Sequence, residues 1–257
     1  MNPVNQKPWK GKGMEGWVAR WYTRTRRKDM ADFQLEAESI AKRLNSGSSV
    51  LEVAPGPGFF AIELAKLGDF RITGLDISRT LVEIATKNAQ DSGVKVDFRL
   101  GNASAMPLEQ DSFDLVYCSA AFKNFSEPVN ALNEMYRVLR PGCKAVIADL
   151  RKDASLDEID RYVQQSGRSL IDAWMTNWTF RHVLLKRAYA QDEFLNMAKQ
   201  SKFGACEIAP SGIALEVQLR KPACAPDHSS CDFGSRRGLL MDVSVIASAG
   251  LFRNKRQ

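Results

Sequence analysis

The chain has 257 residues, 44% of them hydrophobic and 26% charged, and a net charge of +6 at neutral pH. That length suits one α/β domain with a full core, and the composition excludes a disordered or fibrous chain. No apolar run approaches the length of a membrane span, so no membrane partner is expected, and Met1 to Gly16 lacks the apolar centre of a secretory leader.

Residues 1–13, rich in Pro, Gly, Asn and Lys, are expected to be mobile. From Met14 to Arg27 the pattern turns helical, with Trp17, Trp21 and Tyr22 set among arginines. An amphipathic helix follows from Phe33 to Leu44, its apolar face carrying Phe33, Ile40 and Leu44. Asn45-Ser46-Gly47-Ser48 ends it. Val50 to Val53 is a short, β-branched apolar run, the pattern of a buried parallel strand. Pro55, Gly56, Pro57 and Gly58 make a turn, and Ala61 to Leu67 has helical spacing.

Strands and helices then alternate. Arg71 to Asp76 reads as a strand, Arg79 to Ser92 as a helix with Ser78 at its N-cap, and Val94 to Leu100 and Phe113 to Cys118 as strands. Pro128 to Leu139 is a helix with Pro in its first turn, stopped by Arg140-Pro141-Gly142, and Cys143 to Leu150 is the next strand. Residues 151–190 break the alternation and read as a helical insertion before a helix from Gln191 to Lys202. Lys202 to Ile208 and Ile213 to Leu219 close the pattern as two strands around a Pro210-Ser211-Gly212 turn. The fold class expected is α/β: a doubly wound, mostly parallel seven-stranded sheet with a C-terminal antiparallel strand and helices on both faces. The expected organisation is a basic segment with cap helices over 1–45, a domain over 46–222, and a poorly ordered tail over 223–257.

The charge is uneven. Residues 1–30 hold eight Lys or Arg against two acids, so the rest of the chain is close to neutral. A protein built around nucleic acid would instead line a domain face with cations, so nucleic acid is not the expected partner. The five cysteines are odd in number and scattered; Cys118, Cys143 and Cys206 fall in expected core strands. Reduced thiols and a cytoplasmic setting follow.

The glycine turn after the first strand is the chemical centre. Gly56 and Gly58 permit positive φ and close approach of a ligand to the backbone. Gly56-x-Gly58-x-x-Ala61 formally fits a dinucleotide fingerprint, with Asp76 about twenty residues on. Pro55 and Pro57, however, carry no N–H, and a pyrophosphate wants many such donors. Glu52, at the strand end, is suited to attracting an ammonium.

The stretch from Glu52 to Gly58 resembles motif I of the class I, Rossmann-like methyltransferases, acidic-x-Gly-x-Gly-x-Gly, with Ala54 in place of the first glycine. The order and spacing of the later motifs extend the resemblance over residues 15–221, to the small-molecule, UbiE-like type. Ala at 54 implies an unstrained backbone there. The resemblance implies S-adenosylmethionine as cofactor and a small-molecule methyl acceptor. It implies that Asp76 accepts the ribose hydroxyls and that Ile77 packs on the adenine. Asn102 and Ala103 would meet the adenine edge, with Met106 on the purine, and Ser119 lies at the carboxyl edge of its strand. Tyr22, on a helix closing over the cofactor, would touch the methionine end. The site residues expected are therefore Tyr22, Glu52, Ala54, Gly56, Gly58, Asp76, Ile77, Asn102, Ala103 and Ser119.

Lys123 and Asn124, after the fourth strand, read equally as substrate contacts or as part of a plain connecting loop. The Ser119 to Phe125 stretch lacks the Pro-Pro-aromatic loop that grips a flipped base. No catalytic residue is assigned: His182, beside Arg181 on a helix, suits a base but reads more readily as structural, and Tyr189 and Asp149 are further candidates no better supported. Cys224, His228 and Cys231 are too few and too irregular for a zinc site, so no metal is expected. The function expected is methyl transfer to an O, N or C nucleophile. The alternatives are a methyltransferase-like binding or assembly module without turnover, and a NAD-type Rossmann oxidoreductase.

Overall fold

The computed structural model describes residues 10, 14–165 and 184–223. Seven strands form one sheet: β1 (Ser49–Val53), β2 (Arg71–Asp76), β3 (Asp97–Leu100), β4 (Phe113–Ser119), β5 (Leu139–Leu150), β6 (Glu207–Ser211) and β7 (Ala214–Arg220). Their spatial order is β3-β2-β1-β4-β5-β7-β6. β1 to β5 pair in parallel, and β7 runs antiparallel to both β5 and β6. The strand order reverses between β1 and β4. That switch point opens a crevice at the carboxyl ends of the strands, where ligands of such sheets bind.

The helices are α1 (Gly16–Arg26), α2 (Met30–Ala41), α3 (Phe59–Ala65), α4 (Arg79–Asp91), α5 (Pro128–Val138), α6 (Leu156–Gln165) and α7 (Gln191–Gln200), with a 3₁₀ turn at Arg27–Asp29. Side chains alternate across each strand, so the sheet makes two cores. On one face Val50, Ile72, Leu115, Tyr117 and Val146 pack with Phe33 and Ile40 of α2 and Phe59, Phe60 and Leu64 of α3. On the other, Leu51, Val53, Val116, Cys118 and Ile147 pack with Leu132 and Met135 of α5 and Phe194 and Met197 of α7. β1 is buried along its whole length, as a strand covered on both sides must be.

The N-cap at Ser78 forms as expected, its Oγ accepting the Leu81 N–H at 3.1 Å. Several boundaries differ from the sequence reading by a few residues: the second helix runs Met30–Ala41, the third Phe59–Ala65, and β3 starts at Asp97. The first closing strand starts at Glu207, not Lys202, and Pro210 and Ser211 belong to it. Phe203 turns into the core and Gly204 takes φ +72°, so the backbone cannot extend before that point. Cys206 consequently lies half-buried before the strand. β5 begins at Leu139, so Arg140-Pro141-Gly142 continues into the strand across a register shift. Proline is tolerated at such an irregularity, where no ladder hydrogen bond is lost.

Of residues 151–190, α6 and a single turn at Leu185–Arg187 are described. Ile159 packs there against Leu150, Ala188 and Ile213. Trp174, Trp178, Phe180 and His182, and the tail from Cys224 with its Cys/His group, lie outside the described residues, as do 1–9 and 11–13.

Candidate functional site

The loop between β1 and α3 lies at the switch point. It contains three backbone N–H groups, because Pro55 and Pro57 have none. All three are engaged within the protein. Ala54 N–H donates to Leu75 O at 2.8 Å, Gly56 N–H to Asp76 Oδ2 at 3.0 Å, and Gly58 N–H to Pro55 O at 3.0 Å. The loop therefore offers no nest of free donors to a pyrophosphate.

Gly58 takes φ +79°, and a Cβ there would lie 2.6 Å from the Phe98 ring and 2.9 Å from Ala85 Cβ. Gly56 takes φ +56°. Ala54 corrects the sequence reading: its backbone is left-handed, at φ +60°. The chain must reverse out of β1 while its N–H still reaches β2, which selects this conformation. The cost of about 1–2 kcal/mol for a residue with a Cβ is borne by the surrounding fold.

Asp76, at the end of β2, is 4% exposed. Its Oδ2 accepts from Gly56 and its Oδ1 from Ser78 N–H at 2.8 Å. The carboxylate thus ties the glycine loop to the start of α4, and its remaining lone pairs can serve a ligand. Burial pushes its pKa up to about 6, and the Ser78 and Gly56 N–H groups restrain the rise.

Glu52, on β1, stands beside Tyr117 of β4 in register. It is 4% exposed, and its Oε2 has no hydrogen-bond partner. Burial, then the nearby Glu36 carboxyl, push its pKa well up, while the Ala61 N–H acts the other way. Glu36 of α2 is equally buried and accepts the Tyr117 hydroxyl; burial raises its pKa as well, against hydrogen bonds from Tyr117 and Ser119. The carboxyl edge of the sheet thus holds two buried acids and an orphaned oxygen. A cationic ligand group at that oxygen would supply the missing hydrogen bond and favour the ionised form. The residues present fit a ligand with an ammonium end, vicinal hydroxyls and no phosphate. Sequence reasoning missed Glu36, which comes from a helix far from the motif.

α1 covers this loop. A Cβ on Gly56 would lie 3.4 Å from Tyr22 Cε1, so the Tyr22 ring roofs the glycine turn. The start of α1 is fixed to α4 by a clamp that sequence reading also missed. Glu15 accepts from Arg79 N–H (3.0 Å), Thr80 N–H (3.1 Å) and Thr80 Oγ1 (2.6 Å), and Ser78 Oγ donates to Met14 O at 2.6 Å. Partial burial pushes Glu15 up, but these donors outweigh it and hold its pKa below the usual value. A carboxylate at the start of α4 also complements the helix dipole.

The loop after β3 holds Asn102 and Ala103, both half-buried. Asn102 Oδ1 accepts the Ser104 N–H at 2.9 Å, forming a local turn and retaining one lone pair. Met106 does not face an open purine site: it is buried in the core beside Leu75 and Phe113. Glu134 and Arg137 of α5 pin that loop through Met106 N–H (2.7 Å) and Met106 O (2.9 Å), drawing the side chain inward. Ile77 and Ser119 are half-buried at the carboxyl edge.

After β4, Lys123 is buried rather than presented to a substrate. Its Nζ pairs with Asp149 Oδ1 at 2.7 Å and donates to Ala120 O at 2.5 Å. Its N–H donates to Asp149 Oδ2 at 2.9 Å. This pair joins the β4 loop to β5, so Asp149 has a structural partner. Tyr189 Oη accepts from Lys10 Nζ at 2.6 Å, and Lys10 N–H reaches Asn124 O at 2.9 Å.

Residues 51–147 match the family described as a methyltransferase domain. The chain is 36% identical over 120 residues to the demethylmenaquinone methyltransferase of Deinococcus radiodurans, covering 46% of this chain and 48% of that one. It is 36% identical over 120 residues to the O-methyltransferase rstn1 of Aspergillus nomiae, covering 45% and 53%. The matched region thus spans about half the length of these relatives. In structure it resembles an S-adenosyl-L-methionine-dependent methyltransferase-type chain of Methanococcus maripaludis, with a TM-score of 0.66 at 22% identity over 84% of this chain and 97% of that one. It also resembles the [4+2]-cyclase SpnF, with a TM-score of 0.54 at 19% identity over 86% and 88%. Residues 51–147 thus carry a methyltransferase-domain match, and the reversed strand order with the closing antiparallel strand gives the chain the fold of the class I, Rossmann-like methyltransferases.

Proposed function

We propose that the protein transfers a methyl group from S-adenosylmethionine to an oxygen, nitrogen or carbon nucleophile of a small molecule. One observation carries the cofactor choice: every N–H in the 54–58 loop is satisfied internally, while the Glu52 Oε2 beside it is buried without a partner. That arrangement is poor for a pyrophosphate and good for an aminoacyl end, which argues against the NAD-type alternative. The relatives' names, demethylmenaquinone methyltransferase and O-methyltransferase, support a small-molecule acceptor.

In this reading Asp76 holds the ribose hydroxyls and Glu52 the ammonium. Ala54, Gly56 and Gly58 form the floor, Tyr22 the roof, and Ser119 the edge toward the acceptor. Ile77, Asn102 and Ala103 surround the adenine. The cofactor supplies a carbon already activated by its sulfonium. The protein's work is to align the nucleophile with that carbon and to keep water out, which α1 does from above. The acceptor pocket falls to the loops after β4 and β5. A cytoplasmic setting is supported by Cys118 and Cys143, which are buried and in no disulfide.

A fold of this kind does not by itself establish methyl transfer, as the cyclase neighbour illustrates. The test is incubation with methyl-labelled S-adenosylmethionine and a panel of hydroxylated aromatics, amines and activated carbon acids. Label transfer to one class is the expected result. Binding of the cofactor with no transfer to any class would favour the binding-module reading.

A further inference from the structure

The outer face of α1 has an arrangement that the methyltransferase reading does not use. Trp17, Arg20, Trp21, Arg24, Arg27 and Lys28 are all exposed. On α1 the spacing of Trp17, Arg20, Trp21 and Arg24 puts them within about a third of the helix circumference, and Arg27 and Lys28 follow in the 3₁₀ turn. Trp17 is 76% exposed and Trp21 43%. The opposite side of the same helix is buried through Ala19 and Arg26. Arg26 pairs with Asp29 at 2.9 Å, and Glu15 is turned to the start of α4.

Two exposed indoles set among exposed cations on one face combine an interfacial anchor with positive charge, the two features that favour an anionic bilayer surface. Indole rings settle at the headgroup level, and basic side chains gain from an anionic surface. A single-stranded nucleic acid instead favours a groove that tracks its backbone past stacking rings. Among the described residues the stripe is one helix wide and has no such groove.

We propose that α1 docks the protein on an anionic membrane surface, indoles inward and arginines against the headgroups. This departs from the sequence expectation of no membrane partner, which rested on spanning length alone. Because Tyr22 on the inner side of α1 roofs the glycine loop, the docked helix is also the lid of the cofactor site, and the trench opens next to the bilayer. The inference does not depend on which acceptor is methylated.

The test is sedimentation of the full chain with vesicles of phosphatidylcholine alone or of phosphatidylcholine with phosphatidylglycerol. Binding is expected on the mixed vesicles, weakening as salt rises, with little on the neutral ones. At roughly fivefold per cation, Arg20→Glu with Arg24→Glu should lower partitioning by about twentyfold or more. Trp17→Ala should lower it independently at high salt. S-adenosylhomocysteine affinity, read by calorimetry, reports whether each variant has folded; Arg20→Gln with Arg24→Gln serves if the charge reversal does not fold. Equal binding to both vesicle types, no binding to either, or no loss in folded variants would overturn the proposal. Tighter, stripe-dependent binding to an RNA homopolymer than to mixed vesicles would also overturn it and assign the face to nucleic acid.

Discussion

Lowering the pH from about 7.5 to 5 should weaken cofactor binding through Asp76. The carboxylate accepts two backbone N–H groups in a buried setting, and burial lifts its pKa from 3.8 to about 6. Ribose hydroxyls donate to the ionised form, so affinity scales with the ionised fraction. One unit below a pKa that fraction is about a tenth, so S-adenosylhomocysteine should bind about tenfold more weakly, a loss of roughly 1.4 kcal/mol. Burial also raises the pKa of Glu52, a second acid at the site and a second source of pH dependence. Comparison with Asp76→Asn removes it, since the variant keeps Glu52 and loses only the Asp76 component. Folding stability should move in the opposite sense. A group whose folded pKa is raised favours the fold most below its unfolded value and loses that contribution as pH rises through the folded one. Between about pH 4 and 6 the wild type should therefore lose stability relative to Asp76→Asn, by on the order of 3 kcal/mol. Calorimetric titration and denaturant melts across this range supply both readouts. A wild-type affinity no more pH-dependent than that of Asp76→Asn would refute the assignment of Asp76 to the ribose.

Gly58→Ala should destabilise the fold by about 2 kcal/mol or more, because its Cβ would meet Phe98 and Ala85 at an already left-handed φ; urea melts measure this. Lys123→Met should cost about 3–5 kcal/mol by leaving Asp149 buried without its partner, whereas the double change Lys123→Met with Asp149→Leu should recover much of it, which a double-mutant cycle tests. Glu15→Ala should cost roughly 1 kcal/mol through the lost cap on α4; it should also raise amide exchange over α1, detectable by hydrogen-exchange mass spectrometry.

The sheet was legible because each strand carries its own signature. β1 is a short β-branched run, β2 ends on an acid, and the closing strands show period-two patterning. The glycine loop was legible because positive φ leaves few residue choices. What could not be read is what depends on a partner distant in sequence. Glu15 looked like an ordinary helix residue until Arg79 and Thr80 met it, 64 and 65 positions away. Glu36 looked like part of a solvated helix face, and only the approach of Tyr117, 81 positions on, makes it a buried acid. Lys123 read equally as a substrate contact or a loop residue because nothing near it in sequence announces Asp149. Ala54 misled differently: the absence of glycine suggested a relaxed backbone, yet the hydrogen bond to Leu75 imposes the left-handed conformation all the same.

The central claim is that the crevice between β1 and β4 receives S-adenosylmethionine through Asp76 and Glu52. Its most direct test is calorimetry of the wild type, Asp76→Ala and Asn102→Ala with S-adenosylhomocysteine and with NADH. The account predicts S-adenosylhomocysteine binding and no NADH binding. It also predicts a larger loss for Asp76→Ala than for Asn102→Ala, since hydrogen bonds to a charged group are worth about 1.5–3 kcal/mol and those to a neutral one about 1. NADH binding with no response to S-adenosylhomocysteine, or equal affinity in all three proteins, would contradict it.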